Sequence, residues 1–168
     1  KGKTYFVHLR QDAQFHDGVK ITSDDVIFTV NKIKEPAIKS PRKANWEGVE
    51  VKKIDTFTVA FNLKQPYAPF MENLTIGILP KHLWDEVPND EFPWSDLNLN
   101  AIGSGPYKVK SVSRDSGGIP SKIVLESFNK FALGAPYIET LDIYFYGSES
   151  KAVSALISKD IDSLGGIS

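Results

Sequence analysis

Between Phe15 and Val26 the chain reads FHDGVKITSDDV, which sets one histidine and three carboxylates, His16, Asp17, Asp24 and Asp25, close together. An imidazole beside acids can perform general acid–base chemistry, and it can hold a metal ion when further ligands converge on it. A self-contained α+β hydrolase using His16, Asp17 or Asp24 is therefore one reading. The same residues also spell out local structure. Asp17-Gly18 is a turn dipeptide whose glycine adopts a positive φ freely. Thr22 stands three residues before Asp25, the spacing of a capping box, and Asp24 and Asp25 put negative charge in the first helical turn, which the helix dipole favours by about 0.3–1 kcal/mol. Turn and cap together account for all three acids, so no catalytic residue is expected here.

The rest of the sequence offers little other chemistry. Gly103-Ser104-Gly105 lacks the G-x-S-x-G frame that strains a serine at a strand-to-helix turn, and Pro106 with a strand behind it reads as a loop needing free backbone. His8, His16 and His82 are scattered, with no pair at the i, i+4 spacing of a helical zinc site, so no metal is expected. Gly117-Gly118 precedes a strand rather than a helix, and no phosphate-cradling loop is present. Asn73-Leu74-Thr75 matches the glycosylation acceptor pattern, a short pattern that arises by chance. Trp46, Trp84 and Trp94 all fall in or beside loops. Two of them, Trp84 and Trp94, are expected to pin their loops, whereas Trp46, following the polar stretch 40–45, is expected to meet a ligand. Arg42 and Asn45 on that stretch are its expected companions.

Composition narrows the function classes. Lys and Arg number 20 against 21 Asp and Glu, a net charge of −1 that provides no field for gathering nucleic acid or anionic lipid. There is no cysteine, which excludes disulfides, thiolate metal sites and cysteine nucleophiles. No apolar run approaches the roughly 18–20 residues that span a bilayer. The sequence opens at Lys1 and is strand-like by Thr4, so a piece of a longer polypeptide is expected.

Residues 4–10 alternate, with Tyr5, Val7 and Leu9 on one face, and predict a strand. A helix follows the Thr22 cap, its Val26, Ile27, Val30 and Ile33 forming one apolar stripe and Pro36 marking its latest end. Residues 49–54 and 57–63 predict a hairpin joined at Asp55-Thr56, with Phe57, Val59, Phe61 and Leu63 on a single apolar face that the helix should cover. Short helices are expected at 66–74 and 80–84. Residues 85–101 read as a surface loop held by Phe92, Trp94 and Leu97, and as the internal boundary. Strands are expected at 106–112, 122–127 and 138–146, then a helix capped by Ser148 with Ala152, Val153, Leu156 and Ile157 on one side.

Taken in order, TYFVHLRQDAQFHDGVKITSDDVIFTV, VKKIDTFTVAFNLKQPYAPFMENL, ILPKHLW and GSGPYKVKS closely resemble the solute-binding proteins of peptide and nickel ABC importers, family 5. The resemblance implies an α+β fold of mixed and antiparallel sheets with packed helices, as a fragment of a two-lobed, class II periplasmic-binding-protein-like receptor. It implies a family-specific extra domain over 1–90 and a partial lobe of the ligand-binding domain over 91–168. The implied role is capture of oligopeptides or a related small solute in the periplasm or at the cell surface, for delivery to an ABC permease. No cofactor, catalytic residue or nucleic acid is implied, and membrane contact would come only through the permease or an anchor outside this stretch. Two departures stand out: Phe128-Asn129-Lys130-Phe131 replaces the usual Phe-Asn-Pro motif ending in Tyr-Trp, and Arg42 stands where relatives commonly carry an aromatic facing the cleft. An extracellular interaction module on the same scaffold is the remaining alternative.

Overall fold

The computed structural model describes residues 2–166. The alternating start of the chain forms β1, Thr4–His8, and the later hairpin forms β2, Val49–Asp55, and β3, Thr58–Leu63. They make one antiparallel sheet in the order β1-β3-β2, with Phe61 registered between Tyr5 and Val51. The central place falls to TVAFNL, the segment with most residues fitted to burial on both faces. The edge strand β2 instead carries Glu50, Lys52 and Lys53, charges that discourage pairing with another chain. Asp55 accepts the Phe57 N–H at 2.8 Å, an Asx turn that reverses the chain between the two strands.

Helix α1 spans Ser23–Lys34 behind the capping box of Thr22 and Asp25, and the chain leaves it at Glu35, just before Pro36. Its Val26 and Val30 pack on the sheet with Val49, Val59, Phe61 and Leu63, so the helix covers the hairpin as the stripe predicted. Phe28 projects from another side of α1 into a second cluster with Trp84 and Phe92. Helix propensity is spent on only one turn each in α2, Lys43–Trp46, α3, Phe70–Asn73, and α4, Lys81–Trp84. The segment 66–74 is therefore mostly irregular, because Pro66 and Pro69 supply no N–H to a longer ladder.

Within 85–101, two 3-10 turns, Phe92–Trp94 and Asp96–Asn98, replace a structureless loop. Phe92 is buried against Trp84, ring centroids 4.3 Å apart, and Leu97 packs on the same cluster. Trp94 corrects an expectation: it is 85% exposed and pins nothing. At three residues per turn, a side chain two positions beyond the inward Phe92 is carried to another side.

The second sheet orders β4, Tyr107–Arg114, β5, Pro120–Ser127, and β6, Thr140–Tyr144, as β4-β5-β6. Asp115 closes its first turn by accepting the Gly117 and Ile119 N–H groups, both at 2.9 Å. All named strand pairs among the described residues are antiparallel. Helix α5, Glu149–Ile157, starts at Ser148, whose Oγ accepts the Lys151 N–H. Its buried side chains are Ala152 and Ala155, three residues apart on one face, while Ile157 turns outward at 77% exposure. The expected grouping of Ala152 with Leu156 and Ile157 does not form. No helix among the described residues is long and apolar enough to cross a membrane.

Candidate functional site

The three residues expected to meet a ligand sit on the α2 turn. Arg42 and Asn45 are exposed, whereas Trp46 is 1% exposed. Its indole lies against Phe61 and Phe70, centroids 5.7 and 5.9 Å away, at the centre of the first core. A ring so enclosed touches the ligand-accessible surface only through its neighbours.

Asn45 opens onto a depression of about 510 Å³, a volume in the range of small-molecule sites. Glu47, Lys64, Gln65 and Tyr67 share its lining with apolar Val49 and Phe70. Lys64 is guided there by Gly48, whose φ is 73° and at which a Cβ would stand 3.2 Å from Lys64 Cδ. Asn45 is held from below: Asn73 Nδ2 donates to the Asn45 carbonyl at 3.1 Å, and Asn45 Nδ2 donates to Asn73 Oδ1 at 3.4 Å. The same bond engages the amide of the sequon asparagine, which is buried. Arg42 faces a separate hollow of about 240 Å³ beside Lys32, Ile38 and Phe92. The expected trio therefore divides between two surfaces and the core.

The acidic corner is bonded throughout. Asp25 is 6% exposed, and its Oδ2 accepts the Thr22 N–H at 2.9 Å and the Thr22 hydroxyl at 3.0 Å. Its Oδ1 accepts the Lys81 N–H at 2.9 Å, which ties the start of α1 to the start of α4. Asp24 pairs with Lys53 of β2 at 2.7 Å, an exposed bridge of small worth. Asp17 bonds His82 Nε2 at 2.7 Å and accepts the Val19 N–H at 3.1 Å. Burial pushes the Asp17 carboxyl up, but these two bonds outweigh it and leave it below the usual carboxylate range.

His16 is equally committed. Its N–H donates to the Gly103 carbonyl at 2.8 Å, and the Gly103 N–H donates back to Nδ1 at 3.2 Å. Since Nδ1 accepts, the ring proton rests on Nε2, which donates to the Gly105 carbonyl at 3.1 Å. Phe128 meets the ring edge-on at 5.0 Å. Neither nitrogen is available to Ser104 as a base, so the serine between those two glycines is not activated. No group of three or more His, Asp or Glu among the described residues could hold a metal ion. This corner joins segments of the fold, as its turn and cap chemistry suggested. Its partners at Lys81, His82, Gly103 and Gly105 carry no signal in the sequence, because backbone groups of distant segments supply most of them.

Gly18 completes the turn at φ 91°, with open space where a Cβ would point. Gly18→Ala is expected to cost about 1–2 kcal/mol, from backbone strain alone. A urea midpoint unchanged by this substitution would show that the turn relaxes.

The family model described as "Bacterial extracellular solute-binding proteins, family 5 Middle" matches residues 1–168. The oligopeptide-binding protein AppA of Bacillus subtilis is 31% identical over 165 residues, covering 96% of this chain and 30% of AppA. The dipeptide-binding protein of Escherichia coli is 31% identical over 161 residues, 83% of this chain and 29% of its own length. Among solved structures, NikZ from Campylobacter jejuni in complex with Ni(L-His) superposes with a TM-score of 0.81 at 33% identity, over 95% of this chain and 31% of NikZ. AppA from B. subtilis in complex with a nonapeptide gives 0.82 at 30% identity, over 95% of this chain and 32% of AppA. The chain thus spans less than a third of the length of these relatives.

Proposed function

Because this chain belongs to family 5 of the bacterial extracellular solute-binding proteins, we propose that it is the middle portion of a receptor that captures a peptide or related small solute outside the cytoplasm and passes it to an ABC permease. The observation that carries this reading beyond family membership is the state of His16. The histidine of the cluster considered for catalysis is spent, nitrogen by nitrogen, on backbone groups of Gly103 and Gly105. A receptor gains affinity by enclosing its ligand and excluding water, and it needs no nucleophile. Peptide is favoured as the solute class by the names of the two relatives that bind oligopeptides and dipeptides.

We assign the extra domain to the first sheet with α1 through α4, and a partial lobe to the second sheet with α5. Phe92 and Leu97 pack with Phe28 of α1, which supports a boundary after Leu97 rather than at 90. The second unit exposes Ile138, Ile143, Phe145 and Ile157, apolar side chains suited to cover by further chain of the same lobe.

Asn45 and Arg42 are assigned as candidate solute contacts in two separate hollows, the one beside Lys64 and the one beside Lys32, with Trp46 as the buried support beneath the turn that carries them. Calorimetry of the full-length protein with a mixture of short peptides tests both levels. Binding by the unaltered protein, weakened about tenfold by Asn45→Ala or Arg42→Ala, is expected, since a lost polar contact is worth about 1–2 kcal/mol. Affinity unchanged in both variants would remove the site assignment alone. Absence of any peptide or small-solute binding by the unaltered protein would remove the functional reading.

A further inference from the structure

We propose that His16 is an acid-sensitive latch, whose neutral ring holds the second sheet to the first unit and lets go when it takes up a proton. The latch stands on geometry and does not depend on which solute is bound. Residues 103–106 are the strap between the two units, and His16 grips it with three hydrogen bonds, two of them from the ring. Pro106 continues the strap by accepting the Phe128 N–H at 2.7 Å, and the Phe128 ring closes on the imidazole. One side chain therefore touches Phe128, just past β5, and both glycines of the strap.

The grip requires the neutral ring. Nδ1 accepts from Gly103, so a proton placed there sets two donors face to face, and either the ring or the Gly103 amide must move. Nothing nearby compensates well. Asp17, on the same turn, is already bonded to His82 of α4 and to the Val19 N–H. Lys108 of β4 and Lys130 beyond β5 line the hollow shared with His16 and add positive charge. Glu126 of β5 is drawn to Lys108 at 3.0 Å and to Lys110 at 3.9 Å. Burial, the largest influence, lowers the His16 pKa from the ordinary 6.5; the Gly105 bond and Asp17 oppose it, Lys108 assists it, and the outcome is a lowered value. The His82 ring is turned elsewhere, its Nε2 bonded to Asp17 at 2.7 Å.

The direction with pH follows. A released or unfolded ring takes its proton near the ordinary 6.5, whereas the gripped ring does so only at lower pH. Over that interval the released form binds more protons, so the grip strengthens as pH rises. It is complete above about 6.5 and is lost as pH falls from there through the lowered value. An extracytoplasmic protein meets such mild acid directly, and the response would fall on the junction between its units.

Two measurements on the full-length protein test this. In hydrogen exchange corrected for intrinsic rates, protection of the Gly103 amide, which donates to the ring, and of the His16 and Phe128 amides, which donate to the strap, is expected to fall between pH 7.5 and 5. His16→Gln should abolish that pH dependence while His82→Gln retains it. Independently, 13Cε1-histidine NMR of the unaltered protein should show His16 titrating below 6.5, with the Gly103 amide moving in step. Protection that does not change with pH, a His16→Gln variant with the same fall, or a His16 midpoint at or above 6.5 would each overturn the latch. Should His16→Gln fail to fold, the titration of the unaltered protein decides alone.

Discussion

Trp46→Ala is expected to destabilise the first unit by about 3–5 kcal/mol, the range for removing a large aromatic from a packed core. The indole is enclosed by Phe61 and Phe70, and its backbone ends the single turn of α2, so neighbouring helix residues are few and collapse into the void would be limited. Exchange protection of the β3 amides should fall by two to three and a half decades, since that strand forms the floor beneath the ring. Trp46→Phe fills most of the volume and should cost less. A direct ligand contact would behave differently: Trp46→Ala would then leave stability within about 0.5 kcal/mol, as exposed positions do, and lower only solute affinity. Measuring stability and solute binding on the same variant separates the two.

Asp25→Ala should follow at about 2–5 kcal/mol. The substitution leaves the Thr22 and Lys81 N–H groups without their acceptor in a largely buried place, each at about 1–3 kcal/mol, and removes the reach-back half of the capping box. Asp25→Asn keeps one carbonyl oxygen and should recover part of the loss. The Lys81 bond to Asp25 spans 56 residues, so loss of protection should extend from α1 to α4. A fall confined to the first turn of α1 would mean that the Lys81 bond contributes nothing.

These two residues divide what could be read in advance. Asp25 declared its role through Thr22, because a capping box is a contact between residues three apart and its chemistry is local. The α1 stripe, the two hairpins and the Asp17-Gly18 turn were legible for the same reason, their periodicities and φ requirements being set within a few residues. Trp46 and Trp94 were not. Both end a single helical turn, too short for a period to specify an inward side, and the structure gives them the opposite of the expected places.

By itself, then, the sequence determined the local elements, the apolar face of the hairpin and the resemblance carried by four ordered motifs. Tertiary structure alone decided what the acidic corner holds. His16 reaches Gly105 across 89 positions and Asp17 reaches His82 across 65. A histidine seeking a backbone amide and carbonyl finds candidates all along the chain, and only packing brings two of them to a ring whose nitrogens they occupy. That is why the residues best suited to chemistry on paper became, once folded, fastenings between distant segments of the chain.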